Sequence, residues 1–218
     1  FLKLHQKSIL SMVSTPIQSK SSSSDNDDNV NRSVQRLAIS REGGSVELVC
    51  PQDRWTSVGI VPGIRKREVD ALVWVCGNNN KQGGEHTANN IEASSSLGSQ
   101  KSHHIRLVDE QRHLYGCSRD GTIFELDFAT QRQTGVIGSG GGGVFCLVSI
   151  GEYFAAGCED GTIKVYSVFD TDGVKNVSPQ LVATLPSAGN AILSLAWVPG
   201  QGGDEMGGSV MYAGVADG

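Results

Sequence analysis

Residues 138–143 read GSGGGG and match the G-x-G-x-x-G pattern of dinucleotide-binding turns. In those sites the turn opens a helix whose N-terminus faces the pyrophosphate. Here the apolar segment VFCLVSI (144–150) follows at once and is typical of a strand, and the chain has no Gly-Lys-Ser/Thr phosphate loop. We therefore interpret the run as a loop between structural units, and we expect no cofactor.

Four carboxylates could be imagined as pairs for acid–base catalysis: Asp120 and Asp160, with Glu125 and Glu159 nearby. Each aspartate, however, precedes glycine in nearly the same phrase, and the two phrases lie 40 residues apart. Asp-Gly between two apolar runs is typical of a hairpin turn that needs a positive φ, which glycine adopts freely and aspartate tolerates. We therefore expect a structural role for both aspartates.

Cysteine and histidine show no pattern of a metal site or a disulfide framework. The five cysteines lack C-x-x-C spacing, and four lie in apolar runs, where a thiol behaves as a small buried hydrophobic group. They are Cys50, Cys76, Cys117, Cys146 and Cys158. The histidines, which are His5, His86, His103, His104 and His113, have no fixed partner in the sequence. We predict no catalytic residue, no metal and a reducing intracellular compartment.

Composition restricts the partners. The 218 residues carry a net charge of -5, which argues against a protein that holds nucleic acid by a broad basic face. The longest apolar run, AILSLAWV (191–198), is too short to cross a bilayer, so we expect no membrane partner. Because the chain begins without methionine and stops inside a repeat at AGVADG, we expect it to be part of a longer protein.

The near-duplicate phrases belong to a repeat of hairpins. Aligned on the glycine of the turn, the copies are AISREGGSVELV (38–49), YGCSRDGTIFELDF (115–128), AAGCEDGTIKVYSV (155–168) and YAGVADG (212–218). The 40 residues from Gly121 to Gly161 equal the length of one four-stranded propeller blade. We predict hairpin turns at Gly43, Gly44, Asp120, Gly121, Asp160, Gly161, Asp217 and Gly218.

An apolar segment precedes each hairpin, and a weaker one follows each complete hairpin. Inner strand, hairpin and outer strand together give the blade order of a WD40-type propeller. In the third hairpin Ile163 and Val165 fall on one face and Tyr166 on the other, as suits a sheet between two neighbouring sheets. We predict an all-β fold, an incomplete WD40-type β-propeller of about three and a half four-stranded blades. The blades span about 1–62, 66–138, 143–187 and 190–218.

Polar insertions interrupt the repeat. Residues 19–33 and 77–104 are rich in Ser, Asn and Gly and cannot bury enough apolar surface to offset the entropy of ordering, so we predict disorder. Residues 170–180 and 200–208 are predicted to be shorter insertions of the same kind. We expect the first and last blades to expose apolar faces, which would make this chain prone to aggregate.

In the order of its phrases the chain resembles the amino-terminal propeller of cirhin-like WD40 proteins. The stretches that carry the resemblance are RLAISREGGSVELV, GIRKREVDALVWV, LYGCSRDGTIFELDF, FAAGCEDGTIKVYSV and AILSLAWVPG. The Gly-His and Trp-Asp dipeptides of regular WD40 repeats are absent, since residues 188–190 read AGN and residues 166–167 read Tyr-Ser. We therefore expect the blades to depend on packing rather than on the usual internal hydrogen bonds.

The resemblance implies a non-catalytic scaffold of the small-subunit processome, which supports pre-rRNA processing and small-subunit (18S) rRNA maturation in the nucleolus, within the nucleus. The implied partners are protein subunits of the early subcomplex, including other WD40 and helical-repeat proteins, and the 5′ external transcribed spacer of pre-rRNA, directly or within the complex. No small-molecule substrate is expected. Two alternatives stay open: another intracellular WD40 adaptor, such as a ubiquitin-ligase substrate receptor or chromatin-associated scaffold, and a propeller enzyme.

Overall fold

The computed structural model describes residues 8–15, 35–64, 67–77, 112–198 and 210–217. These ranges contain one short 3-10 helix (Pro51–Asp53), and no described helix is long and apolar enough to span a membrane. The strands are β1 (Ile9–Ser14), β2 (Leu37–Arg41), β3 (Val46–Cys50), β4 (Thr56–Val61), β5 (Ala71–Cys76), β6 (Arg112–Cys117), β7 (Thr122–Asp127), β8 (Arg132–Gly138), β9 (Val144–Ile150), β10 (Tyr153–Cys158), β11 (Ile163–Phe169), β12 (Lys175–Leu185), β13 (Ile192–Val198) and β14 (Val210–Val215). The predicted disordered segments, 19–33 and 77–104 beyond Gly77, lie outside the described residues.

The strands form three four-stranded antiparallel sheets and one two-stranded sheet. Sheet order follows chain order, with β1 to β4, β5 to β8 and β9 to β12 each forming one sheet and β13 pairing with β14. Each four-stranded sheet is therefore an inner strand, a hairpin and an outer strand. This is the predicted blade order, and we refer to the sheets as blades 1 to 4.

The blades stack through their inner strands, because β1 packs against β5, β5 against β9 and β9 against β13. Between blades 2 and 3, Phe154 stacks on Tyr115 of blade 2 at 5.0 Å between ring centroids and on Tyr166 of its own blade at 5.2 Å. On the other face of blade 3, Ile163 packs with Ile192 of blade 4. Blade 3 is thus apolar on both faces, as predicted, which is how propeller sheets pack.

Two blade faces have no neighbouring blade among the described residues. On blade 1 the exposed apolar side chains of β1 are Ile9, Leu10 and Met12. On blade 4 the exposed apolar side chains of β13 and β14 are Leu193, Val198, Val210 and Tyr212. The expected apolar faces are therefore present, and the tendency to aggregate stays a prediction.

The outer strand of blade 3 differs from its sequence-based prediction. It begins at Lys175 and so includes half of the segment that was predicted to be a polar insertion. Pro179 lacks the N–H that a central strand would need, and the pairing with β11 shifts register between Ser167 and Phe169 to absorb extra residues. The prediction was wrong because an edge strand can be polar and still pair on one side.

Candidate functional site

The hairpins of blades 2 and 3 reverse direction with the same turn geometry. In blade 2, the N–H of Ser118 donates to the Thr122 carbonyl and the N–H of Gly121 donates to the Ser118 carbonyl, both at 3.0 Å. Blade 3 repeats these bonds at Cys158 and Gly161. Gly121 and Gly161 have φ values of 83° and 79°, the left-handed conformation that ends a type I turn inside a hairpin. The predicted Asp-Gly turns are therefore present.

Asp120 and Asp160 support these turns as hydrogen-bond acceptors. Oδ1 of Asp120 accepts from the N–H and hydroxyl of Thr122 at 3.0 and 2.5 Å, and Oδ1 of Asp160 accepts from those of Thr162 at 2.9 and 2.6 Å. Neither aspartate has a positive φ, so glycine alone takes the left-handed conformation in these two turns. Burial would raise the pKa of Asp120, but the bonds from Thr122 and from Arg67 outweigh it and lower the pKa.

The turns are also bound to the segments that lead into the inner strands of their own blades. In blade 2, the backbone N–H and Nε of Arg119 donate to the Asp70 carboxylate at 2.9 and 3.0 Å. In blade 4, Nδ2 of Asn190 donates to Oδ2 of Asp217 at 2.6 Å. Asn190 belongs to the AGN segment that replaces Gly-His. Other polar groups therefore connect the turns of blades 2 and 4 to these segments, in addition to the packing that was expected.

The glycine run at 138–143 packs against the turns of blades 2 and 3. The N–H of Ser139 donates to the Gly121 carbonyl at 2.8 Å. A Cβ at Gly142 would lie 2.7 Å from a carboxylate oxygen of Glu159, which is closer than Cβ contacts in folded proteins. Strand β9 follows the run directly. The run is thus the closely packed loop that its sequence context indicated, and no helix opens there to receive a pyrophosphate.

Together the turns form one surface, the turn face, made of residues 42–44, 119–121, 159–161 and 216–217. It includes the predicted turn residues Gly43, Gly44, Asp120, Gly121, Asp160, Gly161 and Asp217, whereas Gly218 lies outside the described residues. The turn of blade 3 is held from both sides, since Gly143 N–H donates to the Glu159 carboxylate at 2.9 Å and Ala188 N–H donates to the Gly161 carbonyl at 3.0 Å. The exposed charged residues of the turn face are Glu42, Arg119, Asp120, Glu159, Asp160 and Asp217.

The cysteines are all free thiols. Cys50, Cys117 and Cys158 are buried, as predicted, whereas Cys76 and Cys146 are half-buried. Burial raises the pKa of the Cys146 thiol to about 11 and that of Cys117 further, and a thiol with a raised pKa is a weak nucleophile. Among the described residues, no three His, Cys, Asp or Glu side chains lie close enough to hold a metal ion.

A polar cluster that the sequence did not reveal lies at the end of blade 2 opposite the turn face, which we call the foot of blade 2 (residues 112–114 and 125–129). Nδ1 of His113 lies 2.9 Å from Oε1 of Glu125, and Nζ of Lys175 donates to both oxygens of Glu125 at 2.7 and 2.6 Å. Burial would raise the pKa of Glu125, but the bonds from His113 and Lys175 outweigh it and lower the pKa.

The prediction that His113 has no fixed partner was wrong. No local pattern could have found the cluster, because Lys175 lies on the outer strand of the next blade, 50 residues along the chain from Glu125. Only the stacking of blade 3 on blade 2 brings the ammonium group to the carboxylate.

No protein-family model and no curated protein matches the chain. Solved structures do match it. The computationally designed Ika4 protein aligns with a TM-score of 0.55 and 14% identity, over 100% of this chain and 91% of its own. BBS1N, solved in complex with ARL6DN, aligns with a TM-score of 0.56 and 12% identity, over 98% of this chain and 51% of its own.

The WD40 repeats of RRP9 align with a TM-score of 0.52 and 14% identity, over 88% of this chain and 42% of their own. This chain therefore spans about half or less of the length of RRP9 and BBS1N. At these identities the likeness shows the fold alone. The sheets, their stacking and these neighbours together show that the chain has the fold of part of a WD40-type β-propeller.

Proposed function

We propose that this chain is a non-catalytic scaffold subunit of the nucleolar small-subunit processome that supports pre-rRNA processing. The scaffold role is supported by the hydrogen bonds that attach the hairpin turns to the loops on either side of them, as at Gly121, Glu159 and Gly161. Loops that are already fixed lose little conformational entropy when a partner binds. The turn face is therefore suited to holding partners in a set geometry.

The assignment to the processome depends on the ordered phrases that resemble cirhin-like proteins, from RLAISREGGSVELV to AILSLAWVPG. On this basis the partners are protein subunits of the early subcomplex and the 5′ external transcribed spacer of pre-rRNA, and the place of action is the nucleolus. The likeness to the WD40 repeats of RRP9 supports the fold on which the proposal depends and identifies no partner.

The charge of the turn face favours protein over RNA as its direct contact. Its exposed acidic side chains are Glu42, Asp120, Glu159, Asp160 and Asp217, and Arg119 is its exposed cation. Asp120 pairs with Arg67 and Arg119 pairs with Asp70, so the other four carboxylates give the excess negative charge. A surface with this excess of carboxylates repels a phosphate backbone. We therefore assign protein subunits to the turn face and the spacer RNA to other surfaces of the complex.

Depletion of the protein from cells of the source organism tests the assignment. We expect precursor rRNA that retains the 5′ external transcribed spacer to accumulate and mature small-subunit rRNA to fall. Expression of the wild-type chain from a second locus should restore both. Normal precursor and mature rRNA levels after depletion would overturn the processome assignment.

Charge reversal tests the role of the turn face. Glu42→Lys changes an exposed side chain of the turn face in blade 1 and should reduce co-purification of processome proteins. Asp172→Lys is the matched control, because Asp172 is also exposed but lies in the β11–β12 connection at the opposite end of blade 3. Equal co-purification with both variants would place the protein partners on another surface.

A further inference from the structure

The foot of blade 2 contains a cavity of about 330 Å³. It lies where β6 and β7 separate, because their ladder runs from Cys117–Ile123 to Tyr115–Glu125 and does not continue toward the foot. In blade 3 the corresponding ladder continues to the pair Tyr153–Ser167. The gap in blade 2 is therefore a local departure from the blade architecture, and it opens between two strands of one sheet.

The side chains at the foot also differ from those of blade 3. At the positions where blade 3 has Tyr153 and Val165, blade 2 has His113 and Glu125, 40 residues earlier in each case. Tyrosine and valine pack across a ladder, whereas a carboxylate must keep strong hydrogen-bond partners when it leaves water. Glu125 finds them in His113 and in Lys175, which reaches in from blade 3.

The cavity offers hydrogen-bond donors, and both of its carboxylates are already bonded. Glu125 accepts from Lys175, and Asp127 accepts from the backbone and hydroxyl of the turn that follows it, at 2.7 to 3.2 Å. Nε1 of Trp74 can only donate and is buried with no partner among the described residues. Lys175 directs its ammonium group to two oxygens and has three protons.

A further polar atom of the lining and the apolar walls restrict the size and shape of a ligand. Nε2 of His113 is also buried without a partner among the described residues, and it donates when the ring carries a second proton. Apolar side chains form much of the wall: Leu48, Leu114, Leu126 and Phe128. Such a lining fits a short aliphatic stem, and the donors fit an anionic group at its end.

We propose that the foot of blade 2 binds a carboxylate of an acidic peptide, either a Glu or Asp side chain or the carboxylate at a chain end. The carboxylate takes the third proton of Lys175 and the indole N–H of Trp74, and the aliphatic stem lies on the apolar wall. This binding requires the cavity alone and does not depend on which assembly the chain joins.

Three blocked amino acids distinguish the sources of the carboxylate. N-acetyl-glutamate N-methylamide has only a side-chain carboxylate, N-acetyl-alanine has only a terminal one, and N-acetyl-glutamine N-methylamide is the neutral control. The readout is the indole N–H resonance of Trp74, assigned by its loss in Trp74→Phe. We expect one or both carboxylate probes to shift this resonance in a saturable way, with Trp55 and Trp197 unchanged.

Variants test which groups hold the carboxylate. Lys175→Met should weaken the binding of the carboxylate probe about tenfold, as loss of one charge-assisted hydrogen bond predicts. Lys175→Arg keeps the charge and should bind within about threefold of the wild type. Arg119→Met is the matched control, because it removes a positive charge from the turn face and should leave binding unchanged.

Thermal unfolding checks that each variant is folded. If Lys175→Met does not fold, Trp74→Phe replaces it, and its weaker binding is followed through the ring resonances of His113. The proposal is overturned if neither carboxylate probe shifts Trp74, if the neutral glutamine probe shifts it equally, or if the folded variant binds as tightly as the wild type. None of these results bears on rRNA processing, so the two proposals fail separately.

Discussion

Blades 2 and 3 contain nearly the same phrase, GCSRDGTIFELDF and AGCEDGTIKVYSV, yet they are alike at only one end. At the turn face their glycines have φ values of 83° and 79°, and their aspartates accept the same pair of bonds from threonine. At the other end, blade 3 keeps its ladder and blade 2 opens a cavity. The difference shows that a turn is determined within its own residues, whereas the far end of a hairpin depends on its neighbours.

The largest expected effects come from truncating the core residues Phe154 and Leu114, which occupy aligned positions in blades 3 and 2. Phe154→Ala should lower the free energy of unfolding by about 3–5 kcal/mol, because it empties the aromatic stack between Tyr115 and Tyr166. Leu114→Ala should lower it by about 2–3 kcal/mol, since the open foot of blade 2 can relax around the missing group. Urea denaturation measures both. A larger loss for Leu114→Ala would contradict the looser packing of this foot.

Next in size is the effect of alanine at the two turn glycines, which should be the same in both blades. Gly121→Ala and Gly161→Ala should each cost about 1–3 kcal/mol, because the φ is left-handed and the added Cβ would meet a backbone carbonyl oxygen at 2.6 or 2.7 Å. Gly151→Ala is the control, with a φ of 58° and no atom near its Cβ, and should cost about 1 kcal/mol. A clear difference in melting temperature between Gly121→Ala and Gly161→Ala would show that the two turns are not equivalent.

Glu125 at the foot of blade 2 should make stability depend on pH, whereas blade 3 has the uncharged Val165 at the aligned position. The folded pKa of Glu125 is lowered, so its bonds stabilise the fold above the ordinary value of 4.5 and this stability is lost as the pH falls through the lower folded pKa. Glu125→Gln should be less stable by about 1–3 kcal/mol at pH 7. The difference in the free energy of unfolding between the wild type and Glu125→Gln should close as the pH falls. Parallel stability curves from pH 7 to pH 3 would refute this role of Glu125.

The smallest effect concerns the turn aspartates. Asp160→Ala should cost about 1 kcal/mol through the lost acceptor for Thr162, by analogy with a lost N-cap. Asp120→Ala should cost a few tenths of a kcal/mol more, because Asp120 also pairs with the partly exposed Arg67 at 2.8 Å. A double-mutant cycle with Arg67→Met measures this difference, and a coupling energy of zero would show that the ion pair does not distinguish the two turns.

The repeats, the blade order and the turn positions could be predicted from the sequence. Asp-Gly and Gly-Gly mark reversals through the backbone conformations that glycine allows, and short apolar runs mark strands that are buried on both faces. The loop at 138–143 was also predictable, because the strand-like segment after it excludes a helix. The extent of β12 was not, since the pairing of an edge strand leaves little trace in its side chains.

The cluster of His113, Glu125 and Lys175, the bond from Asn190 to Asp217 and the cavity at the foot of blade 2 required the tertiary structure. Each joins groups from separate strands, loops or blades, and no spacing along the chain encodes their distance. The sequence by itself determined the turns and the strands apart from the first half of β12, because those depend on backbone conformation and local hydrogen bonds. The stacking of the blades decided which charged groups meet, because it sets the distances on which their hydrogen bonds and ion pairs depend.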